Sequence, residues 1–198
     1  MAAARNERIG LYGGSFDPIH TGHLILAEAA INTAGLERVY FMPTAAPPHK
    51  RRDDLSDFAA RIEMVKLAIA GNPRFELSLL ESAPEVSFTY RSVAAFAERG
   101  FGRGEIHLLV GSDSLAEMRG WRNPEEIFSR ATVLVLMRPG FDELPPLPPE
   151  AAVICMTAGM NAISSSAIRR LAAEGKSIRY LVPEAVERYV ESHGLYRP

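Results

Sequence analysis

Cysteine is nearly missing from this chain: Cys155 is the single one among 198 residues. A disulfide framework and a cysteine zinc cluster are thereby excluded. Cys155 falls in the apolar run 152–156 and reads as a buried strand residue in a protein of a reducing compartment, the cytoplasm. Long apolar runs are missing too. The longest, Ala131 to Met137, is far below the roughly 20 residues that cross a bilayer, and residues 1–5 lead into the first strand without a hydrophobic targeting core. The expectation is a soluble protein with no membrane partner. Nor does charge of one sign dominate: 22 lysines and arginines face 24 acidic residues, a net charge of −2. That excludes a nucleic-acid-coating surface and points to a small substrate. Neither a Walker phosphate loop nor a Gly-x-Gly-x-x-Gly fingerprint occurs, which removes the main support for kinase and dinucleotide-fingerprint readings.

What the chain does have is Gly13-Gly14-Ser15-Phe16-Asp17-Pro18-Ile19-His20-Thr21-Gly22-His23, between a short apolar run, Ile9 to Tyr12, and a run of helical spacing through Leu24, Ala27 and Ile31. The two histidines therefore stand at a helix N-terminus. There the first N–H groups lack intrahelical partners, the macrodipole favours an anion, and glycines let a phosphate approach the backbone. Residues three apart share a helical face, so His20 and His23 can reach one anionic group together. The bland alternative is a turn-capping His20 beside a solvated His23.

Strand patterns recur at Ile9–Tyr12, Arg38–Met42, Glu105–Val110, Thr132–Met137 and Val153–Met156. Helical patterns lie at Gly22–Ala34, Leu55–Ala70, Tyr90–Glu98, Pro124–Ser129, Ser165–Ala173 and near Glu184–Ser192. Asn123-Pro124, Gly71, Gly100 and Pro183 supply start and stop signals. The alternation predicts an α/β fold: one Rossmann-like domain over 1–198, with an open, mostly parallel sheet, helices on both faces, and a C-terminal helical part at about 164–198. Pro139 to Pro149, with five prolines, reads as an ordered surface connection between strands.

Ligands of such sheets collect at the carboxyl ends of the strands, and three more polar clusters fall there. Ser164, Ser165 and Ser166 open a helix with Arg169 one turn on, so hydroxyls, free N–H groups and a guanidinium can share a polyphosphate; plain N-capping is the alternative, and Arg170 reads as solvated. His49-Lys50, with Arg51 and Arg52, forms a basic loop in which Lys50 is the candidate to cover phosphates. Gly111-Ser112-Asp113-Ser114 follows a strand, and Asp113 can accept ribose hydroxyls or simply form a turn. Trp121, the only tryptophan, sits in the polar stretch 119–123, where it can stack on a planar ring or pack.

The opening motif and Ile163-Ser164-Ser165-Ser166-Ala167-Ile168-Arg169 resemble the nucleotidyltransferases with a His-x-x-His signature. Ala46-Pro47-Pro48-His49-Lys50, Ser87-Phe88-Thr89, Gly111 to Leu115 before Trp121, Arg138-Pro139-Gly140 and His193 to Tyr196 narrow the resemblance to the nicotinate-nucleotide adenylyltransferases. The resemblance implies transfer of AMP from ATP to nicotinic acid mononucleotide, giving deamido-NAD and pyrophosphate, with no covalent enzyme intermediate. It implies catalytic roles for His20, His23 and Arg169, and ATP contacts from Gly13, Gly14, Ser15, Phe16, Gly22, Gly111, Asp113, Ser165 and Ser166. Lys50, Thr89 and Trp121 would serve the acceptor, Thr89 at the nicotinate carboxylate and Trp121 at the pyridine ring. Mg²⁺ would be held by ATP phosphate oxygens with no protein metal site. A homo-oligomer is compatible with the resemblance. Other enzymes of the superfamily, taking nicotinamide mononucleotide, pantetheine phosphate or glycerol phosphate, and a non-catalytic nucleotide sensor remain as alternatives.

Overall fold

β1 (Ile9–Gly14) begins as the apolar run suggests, with its first four residues buried. It has neighbours on both sides, which is why its sequence is continuously apolar and not alternating. The computed structural model describes residues 7–46, 55–82, 87–137, 144, 146–156 and 163–197. Six strands run in the order β3-β2-β1-β4-β5-β6, and every pairing is parallel. The others are β2 (Arg38–Pro43), β3 (Phe75–Leu77), β4 (Ile106–Gly111), β5 (Thr132–Leu136) and β6 (Val153–Met156). The expected open parallel sheet is present.

Successive residues of β5 point to opposite faces, as the pleat requires. Leu134 and Leu136 join one core with Ile31, Met64, Val65, Ile168 and Val186, from α1 (Thr21–Ala34), α2 (Phe58–Ile69), α6 (Ser165–Ala173) and α7 (Glu184–Ser192). Val133 and Val135 join the other with Val93, Phe96, Leu115, Ile127 and Phe128, from α3 (Thr89–Glu98), α4 (Ser112–Glu117) and α5 (Pro124–Arg130). Helices thus cover both faces. Gly10 is needed mid-strand, because a Cβ there would come to 3.0 Å from Leu109, Leu36 and Val39 side-chain carbons.

Two short elements, β3 and α4, were not expected from the sequence. Cys155 corrects another expectation: it lies on β6 as read, but it is exposed. The reason is the position of β6 at the end of the sheet, where among the described residues it pairs with β5 alone. Among the described residues no helix is long and apolar enough to cross a membrane.

The strand order reverses between β1 and β4, since β1 to β3 build outwards on one side and β4 to β6 on the other. A crevice opens at such a switch point beyond the strands' carboxyl ends. The His-x-x-His segment leaves β1 there, and Gly111-Ser112-Asp113 leaves β4 beside it.

Candidate active site

His20 is the N-cap of α1 and His23 its third residue, so the helix begins where the spacing places it. The two imidazoles stack at 3.6 Å between centroids, and the His20 N–H donates to His23 Nδ1 at 3.0 Å. That bond assigns the tautomer. A ring whose Nδ1 accepts is neutral and carries its hydrogen on Nε2, so His23 can present an N–H donor outwards without bearing charge. His20 is buried and His23 half-buried. Phe16, in the left-handed region at φ 49°, is also buried, and its ring packs edge-on to His23 at 5.0 Å and to Tyr12 at 5.5 Å. Gly14 leaves room for the Phe16 ring, since a Cβ there would come to 3.1 Å from it and the ring would have to shift.

The far end of the chain folds onto this segment. Ser164 caps α6 by accepting from the Ala167 N–H at 3.2 Å, while the Ser165 hydroxyl donates to the Pro18 carbonyl at 2.9 Å. Arg169 donates from Nη1 to the Asp17 carbonyl at 2.7 Å and lies 3.4 Å from Ser166 Oγ through Nη2. The start of α1 is held too: the Thr21 N–H and hydroxyl donate to the Leu181 and Tyr180 carbonyls at 2.9 and 3.1 Å. The two strongest motifs of the sequence therefore form one surface, with neutral donors, helix N-termini and a guanidinium converging on it. That combination suits an anion of several phosphates.

Three supporting residues carry no assigned role in the sequence, although one of them, Asp17, stands inside the histidine motif. Arg61, on α2, is 1% exposed and donates to four carbonyls: Ser15 (2.8 Å), Thr44 (2.8 Å), Ser56 (3.1 Å) and Ala45 (3.4 Å). It ties the loop after β1 to the loop after β2. Burial pulls its guanidinium below the ordinary value, and the Asp17 carboxylate acts against that; an arginine remains charged regardless. Asp17, equally buried, accepts from the Ser56 N–H at 3.2 Å and the Tyr196 hydroxyl at 2.7 Å. Burial, and then Asp17, push the Tyr196 phenol well above its usual range. Glu81, also buried, accepts hydroxyls from Thr44 at 2.6 Å and Ser92 at 2.8 Å. A charged residue amid helical or loop sequence reads as solvated, and only the neighbours it meets reveal otherwise.

The remaining candidates divide. Gly13 is exposed one residue before the end of β1, Gly22 is buried in α1, and Gly111 caps α4, on whose first turn Asp113 is exposed. Thr89 starts α3, and Trp121 is half-buried against the core that holds Ile127 and Phe128. The Arg122 guanidinium lies 5.3 Å over the Phe88 ring, so the segments bearing Thr89 and Trp121 meet. Lys50, with His49, Arg51 and Arg52, lies outside the described residues, as does Arg138-Pro139-Gly140.

The cytidylyltransferase-like family model matches residues 11–171, from β1 through Arg169. The fold and the paired motifs define a nucleotidyltransferase, and the chain belongs to that family. A probable nicotinate-nucleotide adenylyltransferase of Thermus thermophilus is 43% identical over 192 residues, covering 96% of this chain and 100% of the relative. The nicotinate-nucleotide adenylyltransferase of Bacillus subtilis is 35% identical, covering 96% and 98%. Within the family, then, this chain is one of the nicotinate-nucleotide adenylyltransferases. The solved Plasmodium falciparum nicotinic acid mononucleotide adenylyltransferase complexed with NaAD has the same fold, with a TM-score of 0.79 at 20% identity over 96% of this chain and 98% of that one.

Proposed function

We propose that this chain transfers AMP from ATP to nicotinic acid mononucleotide, releasing pyrophosphate and forming deamido-NAD on the route to NAD. One observation carries the reading: Ser165 and Arg169 dock on the Pro18 and Asp17 carbonyls, bringing the distal Ser/Arg cluster against the histidine pair. Binding a nucleotide alone needs only glycines and N–H groups, whereas this arrangement surrounds a reacting phosphorus with donors from two helix ends.

A 5′-phosphate oxygen of the acceptor attacks the ATP α-phosphorus in line, the bond to the β-phosphate oxygen breaks, and pyrophosphate leaves. Catalysis consists of positioning and charge stabilisation. His23 donates from Nε2 to the transferring phosphate, with His20 beside it. Gly13, Gly14, Ser15 and Gly22 leave room for ATP, Phe16 contributes through its backbone, and its ring props His23. Ser165, Ser166 and Arg169 hold the β,γ-phosphates, and Gly111 and Asp113 meet the ribose. Lys50, Thr89 and Trp121 receive the acceptor. The whole chain, 1–198, acts as one domain whose part from about 164 closes the phosphate site.

Nucleotidyltransferases normally use a divalent metal. Among the described residues no group of three His, Cys, Asp or Glu could hold one, so Mg²⁺ would ride on the ATP phosphates that these side chains bind. When bound it withdraws charge from those oxygens. Small soluble substrates suit a cytoplasmic enzyme.

Pyrophosphate release with ATP and either nicotinic acid mononucleotide or its amide tests the reading. The expected specificity constant is at least ~10-fold higher for the acid, the scale of one charged or hydrogen-bonded contact. Equal constants would remove the acid-specific assignment, and no release with either would remove adenylyl transfer.

A further inference from the structure

Glu81 follows the short edge strand β3 and belongs to no motif, yet it is 6% exposed and joins three separate segments. Its Oε2 accepts from the Thr44 hydroxyl at 2.6 Å and its Oε1 from the Ser92 hydroxyl at 2.8 Å. Its carbonyl accepts from the Ala45 N–H at 3.0 Å and the Ser87 hydroxyl at 3.2 Å. Both carboxyl oxygens also lie close to β1's end, since a Cβ on Gly13 would stand 3.8 and 3.9 Å from them. Ser87 and Ser92 flank Thr89 at the start of α3.

We propose that Glu81 is a positioning residue for the acceptor: its carboxyl group ties Ser92 to Thr44 and its carbonyl holds Ser87, which together fix the start of α3, where Thr89 is assigned to nicotinic acid mononucleotide. The inference rests on the function proposed above and adds a residue to it. The histidine segment is braced chiefly by Ser165, Arg169 and Tyr196, none of which hydrogen-bonds Glu81, while Arg61 is shared because it also holds Thr44 and Ala45. Loosening Glu81 should therefore affect the two substrates unequally.

Glu81→Gln keeps the volume but replaces one acceptor oxygen with an NH₂ donor, so one hydroxyl has to turn over and the pairing changes without opening a cavity. Ser92→Ala removes one of the two ties from the other side. Steady-state pyrophosphate release, varying each substrate in turn, is measured for the wild type, E81Q, S92A and the double variant. E81Q is expected to raise the KM for nicotinic acid mononucleotide ~10-fold and leave that for ATP within ~2-fold. S92A is expected to shift the same constant in the same direction. The double variant should be no worse than E81Q alone, because the two residues share one bond.

A role confined to stability would lower the folded fraction, and with it the apparent kcat, while both KM values stayed put. That result overturns the proposal, as does an equal rise in both KM values or strict additivity in the double variant. A wild type that releases no pyrophosphate from this pair overturns the parent reading and the inference with it. An active wild type with an unselective E81Q overturns the inference alone.

Discussion

The Tyr196 hydroxyl donates to the Asp17 carboxylate at 2.7 Å, closing a contact between residues 179 positions apart. Asp17 also supplies the carbonyl that Arg169 grips at 2.7 Å. The tail of the chain thus braces the segment that presents the histidines. This contact is the one most directly open to a conservative test.

Tyr196→Phe removes only the hydroxyl. Losing a buried hydrogen bond to a charged group is expected to cost about 1.5–3 kcal/mol, read as a lower denaturation midpoint, and to raise the KM for ATP more than that for the acceptor. The phenol also predicts a pH effect. Its pKa is raised in the folded state, so its contribution is fully present below the unfolded value of about 10 and is lost as pH rises beyond it. Alkaline destabilisation should start near pH 10 in the wild type and be weaker in Y196F; identical alkaline profiles would remove Tyr196 as the cause.

His20→Ala and His23→Ala should each lower the chemical rate at least ~100-fold, the scale of losing a preorganised donor at a developing charge, while the fold survives. Single-turnover rates with circular dichroism on the same samples check this. His23→Gln is the sharper case, because an amide can still donate outwards but accepts from the His20 N–H less well, and it should lie between wild type and H23A.

Arg169→Ala should weaken binding of ATP more than of AMP, since the β,γ-phosphates that its guanidinium is placed to meet are absent from AMP. Calorimetric titration of both nucleotides gives the comparison. The Asp17 contact adds a common loss to both, so the ratio of the two affinities is the informative quantity. An unchanged ratio would make Arg169 a strut and nothing more.

His107, at the start of β4, is buried, with its Nδ1 3.3 Å from the Glu105 carbonyl. Burial lowers its pKa below the ordinary value of 6.5. Both states are uncharged well above pH 6.5, and below it the unfolded chain takes up the proton first, so stability falls with acidity through and below that point. His107→Asn should flatten this segment of the stability profile, measured by urea unfolding from pH 7.5 to 5. A slope equal to that of the wild type would assign the acid sensitivity to other groups.

Much of the fold was readable because its signals are local. β6, α6 and α7 occupy the spans that apolar periodicity and capping marked, and Ser164 caps α6 as its position suggested. β3 was missed because three residues are too few for alternation to register, and α4 because Ser112 to Ser114 reads as a turn. Cys155 was placed on the right strand and the wrong side of the surface. Composition reports that a run is apolar, not whether another layer covers it.

The sequence by itself determined the two helix starts proposed to hold phosphates, since glycines, hydroxyls and histidines at fixed spacing act within a turn or two of backbone. Only the tertiary structure decided how they meet. Arg61, Asp17, Glu81 and Tyr196 matter through partners that lie up to 179 positions away. Such pairings leave no local period. They arise because a parallel sheet gathers the carboxyl ends of its strands at one edge, where buried polar groups must find each other or go unsatisfied.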